Sequence, residues 1–258
     1  MLGGTLSDKL VVDLTVNGFL PVTDEQLQTN IETARGLGLK RLKPGPFVPL
    51  AIIGGGPTIN NHVETLQKWR GDVWAINGAW NWCAERGIDS VFCSVDPDPI
   101  VAKWAKGAKR AILATQCPPE AFDVLKDADV TVFDAGTEVK GVTGTTVSSL
   151  IHAGILTRHS EITLFGCESC YLPTKSHAYM REDRPEECIV ACEEAFYLTA
   201  PDFYFQARAL AELINGLDGY VKEESGGLLR AFIRNPKHWI AWASDGLVNV
   251  MRPVKKDD

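Results

Sequence analysis

At 258 residues, 45% of them apolar, the chain is long enough to bury a substantial core, and one large α/β domain accommodates it. Its 33 acidic residues outnumber 26 basic ones for a net charge of −7, with no basic run beyond Lys255-Lys256, which argues against duplex nucleic acid as a partner. No apolar stretch approaches the roughly 20 residues of a bilayer span and the first residues lack the pattern of a secretory signal, so a cytoplasmic location is expected, in keeping with an odd number of reduced cysteines.

The first predicted elements are a strand at Leu10–Leu14 and a helix opening at Thr23-Asp24-Glu25-Gln26, where Thr23 and Gln26 have the spacing of a capping box. Pro44, Pro46 and Pro49 mark the segment from Lys40 as a linker, so residues 1–49 read as an N-terminal extension. At Leu50 the pattern changes. The apolar run Leu50–Ile53 breaks into Gly54-Gly55-Gly56 and then Pro57-Thr58-Ile59, which reads as a strand, a tight loop and a helix start. Glycines let backbone N–H groups approach a ligand with no Cβ in the way, and the helix start favours an anion, so Gly54, Gly55, Gly56, Pro57 and Thr58 form a candidate phosphate-binding corner. A plain strand-to-helix turn would use the same glycines.

Further strands are expected at Val73–Ile76, Val91–Val95, Ala111–Thr115, Val130–Phe133 and Ile162–Phe165. They alternate with helices: one carrying Ile59, Val63, Leu66 and Trp69 on one face, then Ala79–Arg86, Pro99–Lys106, Pro119–Lys126 and Thr145–Leu156. This is the pattern of an α/β, Rossmann-like parallel sheet with helices on both faces, here over residues 50–200. Ligands of such sheets sit at the carboxyl ends of the strands. Asn77 stands there with an amide that can donate and accept, or serve as a turn residue. Asp96 and Asp98 could hold Mg²⁺ beside phosphates, or cap the next helix. Thr143, Gly144 and Thr145 make a second candidate anion loop, in which capping explains one threonine. Glu168 follows the last of these strands, and Tyr171, His177 and Tyr179 lie in a polar loop beyond it, where a histidine between tyrosines suits proton transfer.

Cys167 and Cys170 are spaced C-x2-C and Cys188 and Cys192 C-x3-C, which approximates a four-thiolate zinc site; buried thiols, the second pair one helical turn apart, fit equally, and reduced, metal-free cysteines are expected. Residues 201–258 form a C-terminal helix-plus-hairpin appendage of the same domain. Pro201 opens the helix, whose stripe from Phe203 to Leu217 fits a core or a homo-oligomer face, and Trp239–Trp242 with Leu247–Met251 reads as a hairpin about Asp245-Gly246.

The succession Gly54-Gly55-Gly56-Pro57-Thr58, Ala75-Ile76-Asn77-Gly78-Ala79, Ser94-Val95-Asp96-Pro97-Asp98, Val142-Thr143-Gly144-Thr145 and Glu161–Glu168 resembles the 6-hydroxymethylpterin diphosphokinase MptE-like family. In the same order it is similar to the bacterial sialyltransferase and flagellin-glycosylating families. The resemblance runs from Leu50 to about Tyr179, with Thr58 for the usual Ser and Glu168 for the usual Asp. Weaker similarity at Ser176-His177-Ala178-Tyr179, Gln206-Ala207 and Gly226-Gly227-Leu228-Leu229 points to the phage-type members, which implies host cytoplasm for a phage-encoded chain.

The resemblance implies a nucleotide-dependent transferase whose nucleotide or nucleotide-sugar ligand sits at the strand ends and gives a glycosyl group to an acceptor. His177 would then be the base, and Tyr171 and Tyr179 would steady the departing phosphate. An ATP-dependent diphosphokinase would instead use Mg²⁺ on Asp96 and Asp98. A third reading is a nucleotide-binding phage accessory protein without catalysis.

Overall fold

A computed structural model of the protein describes residues 22–135, 145–171, 178, 188–192, 195–236 and 239–243. The strands, in chain order, are Lys40–Arg41 (β1), Leu50–Ile53 (β2), Asp72–Ile76 (β3), Val91–Ser94 (β4), Arg110–Ala114 (β5), Asp129–Phe133 (β6), Ile162–Phe165 (β7), Cys188–Cys192 (β8), Ala195–Thr199 (β9), Val221–Glu223 (β10) and Trp239–Ala243 (β11). The α-helices are Asp24–Gly36 (α1), Val63–Gln67 (α2), Ala79–Glu85 (α3), Ile100–Ala105 (α4), Pro119–Val124 (α5), Thr146–Leu156 (α6), Pro201–Gly216 (α7) and Gly227–Arg234 (α8).

All four residues of β2 are buried, as a strand covered on both faces requires. Its alternate side chains enter two different cores. Leu50 and Ile52 join Leu150, Ile151 and Leu229 on one face, and Ala51 and Ile53 join Ile59, Trp82 and Cys83 on the other. The strands around it form an eight-stranded parallel sheet in the order β1-β6-β5-β4-β3-β2-β7-β10. The chain steps outward from β2 through β3, β4 and β5 to β6. It then crosses back through α6 to place β7 on the other side of β2. That reversal defines the topological switch of a Rossmann-like fold.

The six strands expected from apolar runs lie where they were read, to within a residue at each end. The sheet is wider by β1 and β10, two short and charged edge strands with no apolar run to announce them. Lys40–Arg41 belongs to the stretch read as a linker, yet it pairs with β6 at Thr131 and Val132. Short charged edges resist pairing with another chain. The helix expected after β2 is a 3-10 turn at Pro57–His62 followed by the short α2, with Asn60 Nδ2 bonding back to Pro57 O. α1 begins as its cap residue dictates, Thr23 Oγ1 accepting from Gln26 N, but the Gln26 side chain bonds Asn30 Oδ1 rather than closing a capping box.

A second, three-stranded antiparallel sheet has the order β11-β8-β9. The helical reading of Cys188–Cys192 is therefore corrected to a strand. Ile189 and Val190 are β-branched, and burial alternates from Ile189, exposed, to Val190 and Cys192, buried. β11 fulfils the first half of the expected C-terminal hairpin, but its partner is β8, at Trp239↔Cys192 through Ala243↔Cys188. Leu10–Leu14 and Leu247–Met251 lie outside the described residues.

Candidate functional site

At the switch, β2 is flanked by β3 and β7, with Ile53 paired to Ala75 on one side and Phe165 on the other. Gly54-Gly55-Gly56 follows directly on β2 and Asn77 directly on β3, at the carboxyl edge where a ligand is expected.

The glycine loop is pinned from the β7 side. Gly54 N donates to Phe165 O at 2.7 Å and Gly56 N to Gly166 O at 2.8 Å. A Cβ on Gly54 would stand 2.4 Å from Gly166 O, so two chain segments touch backbone to backbone. Gly166 itself has φ +65°, and a Cβ there would lie 2.0 Å from the Ile59 side chain. The missing side chain at Gly54 thus makes room for the end of β7.

Thr58 and Glu168 meet each other. Thr58 N donates to Glu168 Oε1 at 2.8 Å and Thr58 Oγ1 to Oε2 at 2.9 Å. A Cβ on Gly56 would fall 2.1 Å from the same carboxylate, whose residue is 1% exposed. Burial pushes the Glu168 carboxyl above its ordinary range, the Thr58 bonds oppose that, and the nearby Glu223 adds to it. The position at the start of the Pro57–His62 turn is filled by the chain's own carboxylate.

Gly55 and Asn77 each keep one polar group without a partner among the described residues. Among the described residues the Gly55 N–H has no partner, while its carbonyl accepts from Ala178 N at 2.9 Å. Asn77 has φ +49°, a left-handed position that asparagine tolerates, and donates its own N–H to Cys93 O. Its side-chain Oδ1 is buried without a hydrogen-bond partner among the described residues.

The remaining candidates divide. Asp96 Oδ1 accepts from Asp98 N at 3.0 Å, and Asp98 Oδ1 accepts from Ile100 N, the first amide of α4, at 2.8 Å, so one oxygen of each is tied locally. Thr145 caps α6, accepting from Ser148 N at 3.2 Å; Thr143 and Gly144 lie outside the described residues. Tyr171 is buried, its N–H donating to Leu198 O and its ring against Phe203. His177 and Tyr179 lie outside the described residues, on either side of Ala178, the residue seated on Gly55.

Cys167 and Cys170 are buried thiols, the former pushed well up by burial and the latter to about 11 by the same cause. Among the described residues no group of three or more His, Cys, Asp or Glu is placed to hold a metal ion.

One residue of the carboxyl edge escaped the sequence reading. Asp134, just past β6, accepts from Thr115 Oγ1 at 2.6 Å and Arg41 Nη2 at 2.7 Å. Burial alone would raise its carboxyl; the Thr115 and Arg41 bonds, with the charge of Arg35, hold it below the usual range. Inspecting the residue after every strand, the fifth included, would have found it. A separate cleft of about 250 Å³ opens at the opposite, amino-terminal edge, among Asp72, Trp74, Arg110 and His159.

No protein-family model matches the chain, and no curated protein matches it in sequence. Its fold is that of a solved glycosyltransferase. The structure of the MAf glycosyltransferase from Magnetospirillum magneticum AMB-1 superimposes with a TM-score of 0.56 at 15% identity, over 79% of this chain and 36% of that one. This chain thus spans about a third of that protein's length. A mammalian sialyltransferase gives a TM-score of 0.44 at 12% identity, over 78% of this chain and 79% of that one. What is shared with the first is the Rossmann-like α/β architecture.

Proposed function

We propose that the chain is a nucleotide-sugar-dependent glycosyltransferase whose donor lies across the carboxyl edge at the β2/β7 switch. The supporting observation is the uncommitted pair at that place: the buried Asn77 Oδ1 and the Gly55 N–H. Buried polar groups without partners are rare, and one at a strand end beside a topological switch calls for a ligand. The seat of Ala178 on Gly55 makes His177 and Tyr179 the nearest chemistry-bearing residues in sequence. In this reading His177 takes the acceptor's proton, Tyr171 and Tyr179 steady the departing phosphate, and Thr143 with Thr145 faces the donor. The fold likeness to the MAf glycosyltransferase agrees with it. The kinship proposed is with the sialyltransferase-like and MptE-like, phage-type proteins.

A thermal-shift screen of UDP-sugars, CMP-sugars and ATP tests the reading first, since a ligand that binds the folded state raises the melting temperature. Turnover of a nucleotide sugar should survive EDTA and be lost in His177→Ala with donor binding retained. The diphosphokinase alternative draws on Asp96 and Asp98, which stand together at the end of β4. ATP-dependent transfer that stops in EDTA and in Asp96→Asn, with His177→Ala active, would establish it. Nucleotide binding without any turnover would favour the accessory role.

A further inference from the structure

We infer that the corner where β2, β3 and β7 end receives an uncharged, hydroxyl-bearing part of the ligand, a ribose or donor-sugar hydroxyl, and excludes its phosphate. This rests on the transferase reading for the ligand's class, but its chemistry comes from three features of the corner itself.

The first is the count of donors. A phosphate cradle needs several free N–H groups, and this loop has spent them. Gly54 N donates to Phe165 O, Gly56 N to Gly166 O, Thr58 N to Glu168 and Ile59 N to Gly56 O, and Pro57 has none. Among the described residues, the Gly55 N–H is the one left. The second is charge. Glu168 fills the corner with its own carboxyl group, held by Thr58, while the nearby Glu223 is paired with Arg230 at 2.9 Å. A phosphate set there would compete with that carboxyl, 1% exposed, for the Thr58 donors and would meet like charge wherever Glu168 is ionised. The third is the acceptor. Asn77 Oδ1 is buried and lacks a donor, and an ionised phosphate has no proton to give, whereas a hydroxyl does. A hydroxyl can donate to Asn77 Oδ1, and it can also accept, as the Gly55 N–H would require. The glycine loop therefore holds the part of the ligand opposite to the one its sequence suggests.

Substitutions that change charge at constant shape separate the two occupants. Calorimetric titration would use UDP-glucose and CMP-N-acetylneuraminic acid against the parent, Asn77→Asp, Asn77→Leu and Glu168→Gln. With a hydroxyl in the corner, Asn77→Asp keeps the acceptor and stays within about threefold of the parent, Asn77→Leu weakens binding about tenfold or more, and Glu168→Gln changes little. With a phosphate there, Asn77→Asp weakens binding about a hundredfold and Glu168→Gln strengthens it about tenfold, which overturns the inference, as does an unaffected Asn77→Leu.

If neither nucleotide sugar binds the parent, the transferase reading loses its support, and uridine, cytidine and pyrophosphate decide the corner by thermal shift. A nucleoside that stabilises the parent but not Asn77→Leu upholds the inference. Stabilisation by pyrophosphate that Asn77→Asp abolishes, or by none of the three, overturns it.

Discussion

A methyl group at position 166 would have nowhere to go: Ile59 stands 2.0 Å from its place, Gly54 O 2.7 Å, and the backbone is left-handed. Gly166→Ala should therefore lower stability by about 2 kcal/mol or more, measured by urea denaturation, while Gly36→Ala, with open space around it, should be nearly neutral or stabilising. Gly56→Ala must displace the Glu168 carboxylate and lose both Thr58 bonds, a cost of about 1–3 kcal/mol. Two carboxyls give opposite pH signatures. Glu168 titrates higher folded than unfolded, so its contribution is fully present at low pH and is lost as pH rises through the folded value. The melting temperature of Glu168→Gln, relative to the parent, should thus improve as pH rises from the ordinary carboxylate range through the raised value. Asp72 is lowered by its bond to His159 Nε2 at 2.9 Å, against the effect of burial, so its stabilisation holds above the ordinary carboxylate range and fades as pH falls through the lowered value. Asp72→Asn should flatten that acid limb. Glu168 shows why the site was only half legible: a sequence names the polar groups near a strand end, but which of them satisfy one another depends on how adjacent strand ends meet.

Elements were legible in proportion to their apolar content. β2 and β7, buried at every position, were read with their observed bounds. β1 and β10, two and three residues long and rich in charge, are held by pairing with neighbours far along the chain and carry no local pattern. The same reason set Cys188–Cys192 beyond reach, since five residues with a cysteine at each end fit a turn of helix or a strand until the neighbouring strands declare themselves. Caps fared better because they are local. Thr145 supplies the only side-chain bond to the amides of the first turn of α6 among the described contacts, through Ser148 N, and α6 buries seven residues. Thr145→Ala should cost about 1 kcal/mol in chemical denaturation. If Thr145 acts solely as a cap, donor binding will follow the loss of stability; a fall in affinity with the fold retained would give it a second role at the ligand.

Across the whole molecule, protection should follow the sheet order. In native-state hydrogen exchange the amides of β2 and β3 should open only with global unfolding, and those of β1 and β10 much sooner, because central strands lose their bonds last. Slower exchange at the edges than at β2 would contradict the placement of the core. The two ends of the strands also differ in kind. At the carboxyl edge Asn77 Oδ1 and the Gly55 N–H have no partner among the described residues, whereas the amino-edge cleft has His159 paired to Asp72 and Arg110 to Asp89. The pairing of β1 with β6 has a consequence for how the chain is made. Lys40 and its partner Asp129 are separated by 89 residues, and α1 rests on α5, so α1 and β1 find their seats only after α5 and β6 have been synthesised. At about 5–20 residues per second they wait some 4–18 s. For that interval Ala34 and its neighbours face solvent or a chaperone, and a pause in translation after Phe133 would govern how often the sheet closes with its own edge rather than another chain's.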